Sequence, residues 1–112
     1  MKTIRGLQIM SRATFENITL KDAGIRLLPK LNEFIRARKT TESFLVTIEQ
    51  VARWSGLVRR NGRIDDNQAY RMMTLANVPV SKIRRYGMRC WDAREALQAL
   101  AKWTGSWAWM VE

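Results

Sequence analysis

The feature that most constrains this chain is the order of helix starts, helix stops and one basic reversal between Thr47 and Leu100. Thr47-Ile-Glu-Gln opens a helix: Thr47 and Gln50 stand at capping-box spacing, and Ile48, Val51, Ala52 and Trp54 supply an inward face. Gly56 suits the left-handed turn that ends it. A second helical run, Asn67 to Ala76, has Asp65 or Asp66 available as its cap. It stops near Asn77, because Pro79 disfavours helix at the residue before it. Lys82 to Trp91 reads as two short extended runs about Tyr86-Gly87. Asp92 then caps a last helix, with Glu95 at the capping-box position, Ala96, Leu97, Leu100 and Trp103 as its buried stripe, and Gly105 as its stop. The order is helix, helix, basic two-stranded hairpin, helix.

Upstream, Thr19 to Lys39 carries a helical stripe of Ile25, Leu27, Leu28, Leu31, Phe34 and Ile35. Pro29 interrupts it, having no N–H and restricting Leu28, so two helical pieces are predicted. Lys39 to Ser43 is a polar connector. In residues 1–17, Ile4, Leu7, Ile9 and Phe15 suit a short strand or a packed arm. From Ser106 onward Trp107 and Trp109 share one side of any extended strand. At 112 residues the chain is one domain, or a domain with an arm. The division expected is a helical extension over residues 1–44 and the principal domain over 45–112.

Charge narrows the function. The chain carries 20 basic and 10 acidic residues, a net charge of +10. The excess is concentrated from Arg53 to Arg94, where only Asp65, Asp66 and Asp92 oppose the arginines and Lys82. Such a balance favours a polyanionic partner. Catalytic chemistry has little to work with. There is no histidine, the commonest general base, and one cysteine, too few for a thiolate zinc site. The aspartates are best used as helix caps, Cys90 as a small packing residue, and no glycine-rich phosphate loop is present. No enzyme activity, cofactor or metal is therefore expected. The lone Cys90 suits a reducing cytoplasm. No run approaches the roughly 18 apolar residues of a membrane span, and the start lacks the apolar core of a secretory signal.

Thr47-Ile-Glu-Gln-Val-Ala-Arg-Trp-Ser-Gly-Leu resembles the first helix of small MerR-like and excisionase-like DNA-binding domains. Ala69-Tyr-Arg-Met-Met-Thr-Leu-Ala-Asn-Val-Pro-Val is similar to their recognition helix, which ends in a turn before a proline. Lys82-Ile-Arg-Arg-Tyr-Gly-Met-Arg-Cys-Trp-Asp-Ala-Arg-Glu-Ala-Leu resembles their basic wing and the helix after it. The likeness covers Thr47 to Leu100. It implies a mainly α fold, a winged helix-turn-helix with a small two-stranded β wing, preceded here by the helical extension. It also implies sequence-specific DNA binding, as a small transcription regulator or a recombination accessory factor of phage or plasmid type. Two departures stand. The family joins its first two helices by a very short turn, whereas Val58 to Asp66 intervenes here; either this is an inserted loop or the helix-turn-helix is absent. The minimal domain also has no need of the first 44 residues.

Three groups of residues are candidates for contact. Asn67, Gln68, Arg71 and Thr74 fall on one side of the second helix and are types that read base edges. The opposite side offers Ala69, Met72, Met73, Leu75 and Ala76 to the core. Lys82, Arg84, Arg85 and Arg89 lie on the reversal with no acid among them, and Arg59, Arg60 and Arg63 surround the Asn61-Gly62 turn; both groups suit phosphates. Trp54 and Trp91 are expected in the core, and the C-terminal tryptophans in packing or a dimer contact. Double-stranded DNA is the expected partner, with a homodimer or another protein adding contact area, and no membrane. Two further readings of the same charge stay open: a small inhibitor docking its basic face on a host nucleic-acid-processing enzyme, and an RNA-binding protein.

Overall fold

A computed structural model describes residues 18–106 and Ala108. The expected N-terminal strand or arm, and Trp107 and Trp109, lie outside the described residues. Among the described residues, four helices and two short strands follow one another: α1 (Leu20–Ala37), β1 (Leu45–Thr47), α2 (Ile48–Ser55), α3 (Asp66–Leu75), β2 (Cys90–Asp92) and α4 (Ala93–Thr104). The described fold is mainly helical, with one small antiparallel sheet.

The helix ends follow local chemistry. Thr19 caps α1 by accepting from the Asp22 N–H at 3.0 Å. Thr47 and Gln50 form the full capping box of α2: the Gln50 N–H donates to Thr47 Oγ1 at 3.2 Å, and the Thr47 N–H to Gln50 Oε1 at 2.9 Å. Asp65, rather than Asp66, caps α3. Asp92 caps α4, accepting from the backbone N–H groups of Arg94 and Glu95. Gly56 and Gly105 close α2 and α4 in the left-handed conformation.

Pro29 does not divide the first helix, which runs unbroken from Leu20 to Ala37. Pro29 and Ile25 both lie on the exposed side, so the Ile25 carbonyl that loses its helical donor faces solvent. Leu27, Leu28 and Leu31 on the other side are fully buried, and burying three leucines outweighs one missing hydrogen bond. α1 packs along α4 and against α2. The approach to α4 is close: a Cβ at Gly24 would stand 3.2 Å from Thr104 Cγ2.

The sheet differs from the predicted wing. β1 has no counterpart among the elements the sequence predicts, and it pairs antiparallel with β2 in the register Leu45↔Asp92, Val46↔Trp91, Thr47↔Cys90. The basic reversal is a hairpin with only two isolated bridges, Val80↔Trp91 at its base and Arg85↔Met88 at its tip. Trp91 is fully buried, among Leu57, Met72, Met73 and Leu100 in one apolar cluster with Leu27, Leu28 and Leu31. Cys90 is buried as well, as expected of a packing residue. Trp54 is only half-buried, tilted against Phe34 with ring centroids 5.8 Å apart. Leu75 departs from its expected core position: it is 48% exposed at the end of α3.

Neighbouring residues of α1 should therefore respond in opposite directions. Leu28→Ala should cost about 2–5 kcal/mol by leaving a cavity. Pro29→Ala should raise stability by about 1–3 kcal/mol by restoring a helical donor. Urea denaturation of both variants checks this. Asp92 supplies a pH test. Burial raises its carboxyl pKa, but the Arg94 side chain and the backbone N–H groups of Glu95 and Arg94 lower it by more, leaving it below its ordinary value. A depressed folded-state pKa contributes stability above the ordinary carboxylate pKa and loses it as pH falls through the folded value. Asp92→Ala should thus cost about 1 kcal/mol at neutral pH, with the deficit narrowing in acid.

Candidate nucleic-acid interface

The segment joining α2 to α3 is an ordered miniature hairpin. Val58 bridges Ile64, the Arg59 N–H donates to the Arg63 carbonyl at 2.8 Å, and the Asp65 N–H donates to the Leu57 carbonyl at 2.8 Å. Asn61 Oδ1 accepts from the Arg63 N–H at 3.0 Å, which tightens the tip. The three arginines of this loop differ in their surroundings. Arg59 Nη2 approaches Asp65 Oδ1 at 3.7 Å, and Asp65 is only 2% exposed. All three arginines are exposed, but Arg59 alone of them faces this buried carboxylate at ion-pair distance. Arg59 therefore has a structural task, compensating a buried carboxylate that also caps α3 through the Gln68 N–H at 3.3 Å. Sequence spacing gave no signal for this contact.

On α3, Asn67, Arg71 and Thr74 are exposed and Gln68 is half-buried, while Ala69, Met72, Met73 and Ala76 face the core. The Thr74 hydroxyl donates to the Tyr70 carbonyl at 2.9 Å, so its proton is committed to its own helix. α3 ends at Leu75, and the turn after it carries Asn77, whose φ of 62° places it in the left-handed region that asparagine tolerates best after glycine.

The hairpin from Val80 to Trp91 leaves the body beside α3. The Ser81 N–H donates to the Cys90 carbonyl at 2.8 Å, and Ser81 Oγ accepts from the Ile83 N–H at 3.0 Å, fixing the base. At the tip the Met88 N–H donates to the Arg85 carbonyl at 2.9 Å and the Arg85 N–H to the Met88 carbonyl at 3.2 Å. Tyr86 and Gly87, with φ of 55° and 74°, make the two-residue reversal. Lys82, Arg84 and Arg89 are exposed and Arg85 is half-buried. Arg84 Nη1 donates to the Gly87 carbonyl at 3.0 Å, bracing the tip. The Arg89 guanidinium lies over the Tyr70 ring at 4.3 Å.

That last contact brings two of the three candidate groups together. Tyr70 is three residues from Asn67 and four from Thr74, so Arg89 sits beside the exposed row of α3. The loop arginines border a separate groove of about 450 Å³, where Arg53, Arg59 and Arg63 meet Glu49 and Asp66. Glu49 accepts from Arg53 Nε at 3.2 Å. A second groove, of about 350 Å³, runs under the hairpin tip between Arg38, Phe34, Gln50 and Tyr86. Arg38, whose guanidinium lies 4.2 Å from the Phe34 ring centroid, is a basic residue of this face that the sequence did not single out, because it comes from the far end of α1. Among the described residues, no helix is long and apolar enough to cross a membrane.

Comparisons with protein-family models, with curated proteins and with solved structures find no match to this chain. The geometry above is what bears on its role.

Arg59 and Arg63 should separate in a stability assay. Arg59→Ala should cost about 1–2 kcal/mol, because it leaves Asp65 buried without its cation. Arg63→Ala should stay within about 0.5 kcal/mol of the parent. Thermal melts of the two variants at one salt concentration check the difference.

Proposed function

We propose that this chain binds duplex DNA without catalysis, as a small winged helix-turn-helix protein of the transcription-regulator or recombination-accessory kind. In this reading α2 and α3 are the helix pair, the Val58–Asp66 miniature hairpin is an insertion between them, and the Val80–Trp91 hairpin is the wing. α3 enters the major groove and reads bases through Asn67, Gln68 and Arg71, with Thr74 at the margin. Lys82, Arg84, Arg85 and Arg89 lie along the adjacent backbone, and Arg60 and Arg63 reach phosphates beyond the other end of α3. Arg59 contributes less, since it compensates Asp65.

The observation that carries the reading is the Arg89–Tyr70 contact. It sets a hairpin bearing four cations and no acid against an exposed Asn, Arg and Thr row on a short, capped helix. Phosphate contact alone would need only the cations. The polar row beside them supplies groups with defined donor and acceptor geometry, which is what sequence recognition requires.

Titration of the full chain against a random duplex at several salt concentrations tests this. Neutralising about four to six phosphates should make log K fall with log salt at a slope of roughly −4 to −5. On a selected site, Arg71→Ala should cost about 1–3 kcal/mol, with little loss on random duplex. Replacing Arg84, Arg85 and Arg89 together with alanine should weaken binding to every sequence and make the slope shallower by roughly 2–3. Absence of duplex binding at low salt rejects the proposal.

A further inference from the structure

The hairpin tip carries a residue that its own fold does not ask for. A two-residue reversal with positive φ at both positions favours Asn-Gly or Gly-Gly, because a side chain with a Cβ is disfavoured there. This chain places Tyr86 in the first position, at φ 55°. Its ring is not packed into the core: Tyr86 is 82% exposed. The Arg85 guanidinium lies 5.7 Å from the ring centroid. Ile83, on the same hairpin, is 64% exposed, and both are surrounded in sequence by Lys82, Arg84, Arg85 and Arg89. A bulky aromatic held in an unfavourable conformation, at full reach and amid cations, points to a partner that takes an aromatic ring within an anionic surface.

We infer that Tyr86 is a stacking wedge, which the tip inserts against the bases of duplex DNA through the minor groove while the neighbouring cations hold the phosphates on either side. The inference rests on the DNA reading above and adds a base-contacting residue to it. Apolar and aromatic wedges act on nucleic acid by partly unstacking a base step, and their effect tolerates sequence because every base has a face to stack on. The tip is built to hold such a wedge steady. Arg84 braces the reversal by its bond to the Gly87 carbonyl, and the paired Arg85 and Met88 backbones fix the turn that carries Tyr86. The predicted consequence is a local distortion of the duplex at one base step, separate from readout by α3.

The test uses the full chain and duplexes carrying 2-aminopurine at successive positions, whose emission rises when the base is unstacked. Tyr86→Gly removes the ring yet suits the positive φ, so the hairpin should keep its form and the melting temperature should hold or rise. Tyr86→Phe keeps the stacking face without the hydroxyl. The parent and Tyr86→Phe should raise emission severalfold at one step, and Tyr86→Gly should abolish that rise and weaken binding about tenfold or more. The salt slope should be the same for all three, because no phosphate contact is removed. If Tyr86→Gly binds like the parent, or if the parent leaves 2-aminopurine emission unchanged at every position, the wedge is wrong while the DNA reading stands. If the parent binds no duplex, the wedge fails together with that reading.

Discussion

A three-residue backbone ladder sets the starting points of half the fold. Val46 and Trp91 are its centre, and two of its four end residues also cap helices. Thr47 is at once the last residue of β1 and the cap of α2, and Asp92 is at once the last residue of β2 and the cap of α4. The ladder extends by one bond in each direction, from the Ile48 N–H to the Arg89 carbonyl at 3.0 Å and from the Ala93 N–H to the Phe44 carbonyl at 2.8 Å. The first of these ties the start of α2 to the return arm of the basic hairpin, and the second ties the start of α4 to the connector from α1. Burial of Trp91 holds the ladder in register, since a one-residue slip would turn that indole outward.

What the sequence made legible is what is local. The caps at Thr47 and Asp92 and the stops at Gly56 and Gly105 are decided within four residues, and each lies where spacing alone places it. Pro29 departs from its local signal for the opposite reason: its cost is local, but the burial of Leu27, Leu28 and Leu31 against distant helices overrides it. β1 is too short to show an alternating pattern, and its partner lies more than forty residues away, so no window contains the signal. Leu75 reads as a core residue because it is apolar and near the stripe, yet it borders an open groove beside Ala99, Lys102 and Trp103 of α4. For the candidate site, the types and the exposure of Asn67, Arg71, Lys82 and Arg84 were readable, but the contact of Arg89 with Tyr70 and of Arg59 with Asp65 depends on how the segments fold back.

Net charge overstates how much cation the surface has to offer. Arg94 is engaged by Asp92 at 3.0 Å and stacks 4.1 Å from the Phe44 centroid. Arg53 is engaged by Glu49, Arg59 faces Asp65, and Arg38 lies over Phe34. These pairs are screened and individually weak where exposed, but they orient guanidinium groups toward the protein rather than away from it. Among the described residues, charge that meets no carboxylate is concentrated on the hairpin, at Lys82, Arg84, Arg85 and Arg89, and at Arg63 beside the Asn61-Gly62 turn. A count of basic residues does not divide the Arg53–Arg94 excess, whereas these contacts separate it into two patches with a polar strip beside one of them.

The hairpin divides its obligations by position. Its base shares backbone with the ladder and packs Cys90 and Trp91 into the core, whereas Lys82, Ile83, Arg84, Tyr86 and Gly87 are exposed. Selection on the tip is thereby decoupled from selection on the fold. Substitutions at Ile83 or Tyr86 can change what the tip meets without disturbing a core residue. Changes at Cys90 or Trp91 would have to be matched by compensating changes elsewhere in the core. A lineage carrying this scaffold can diversify at one end of twelve residues while the other end stays nearly still.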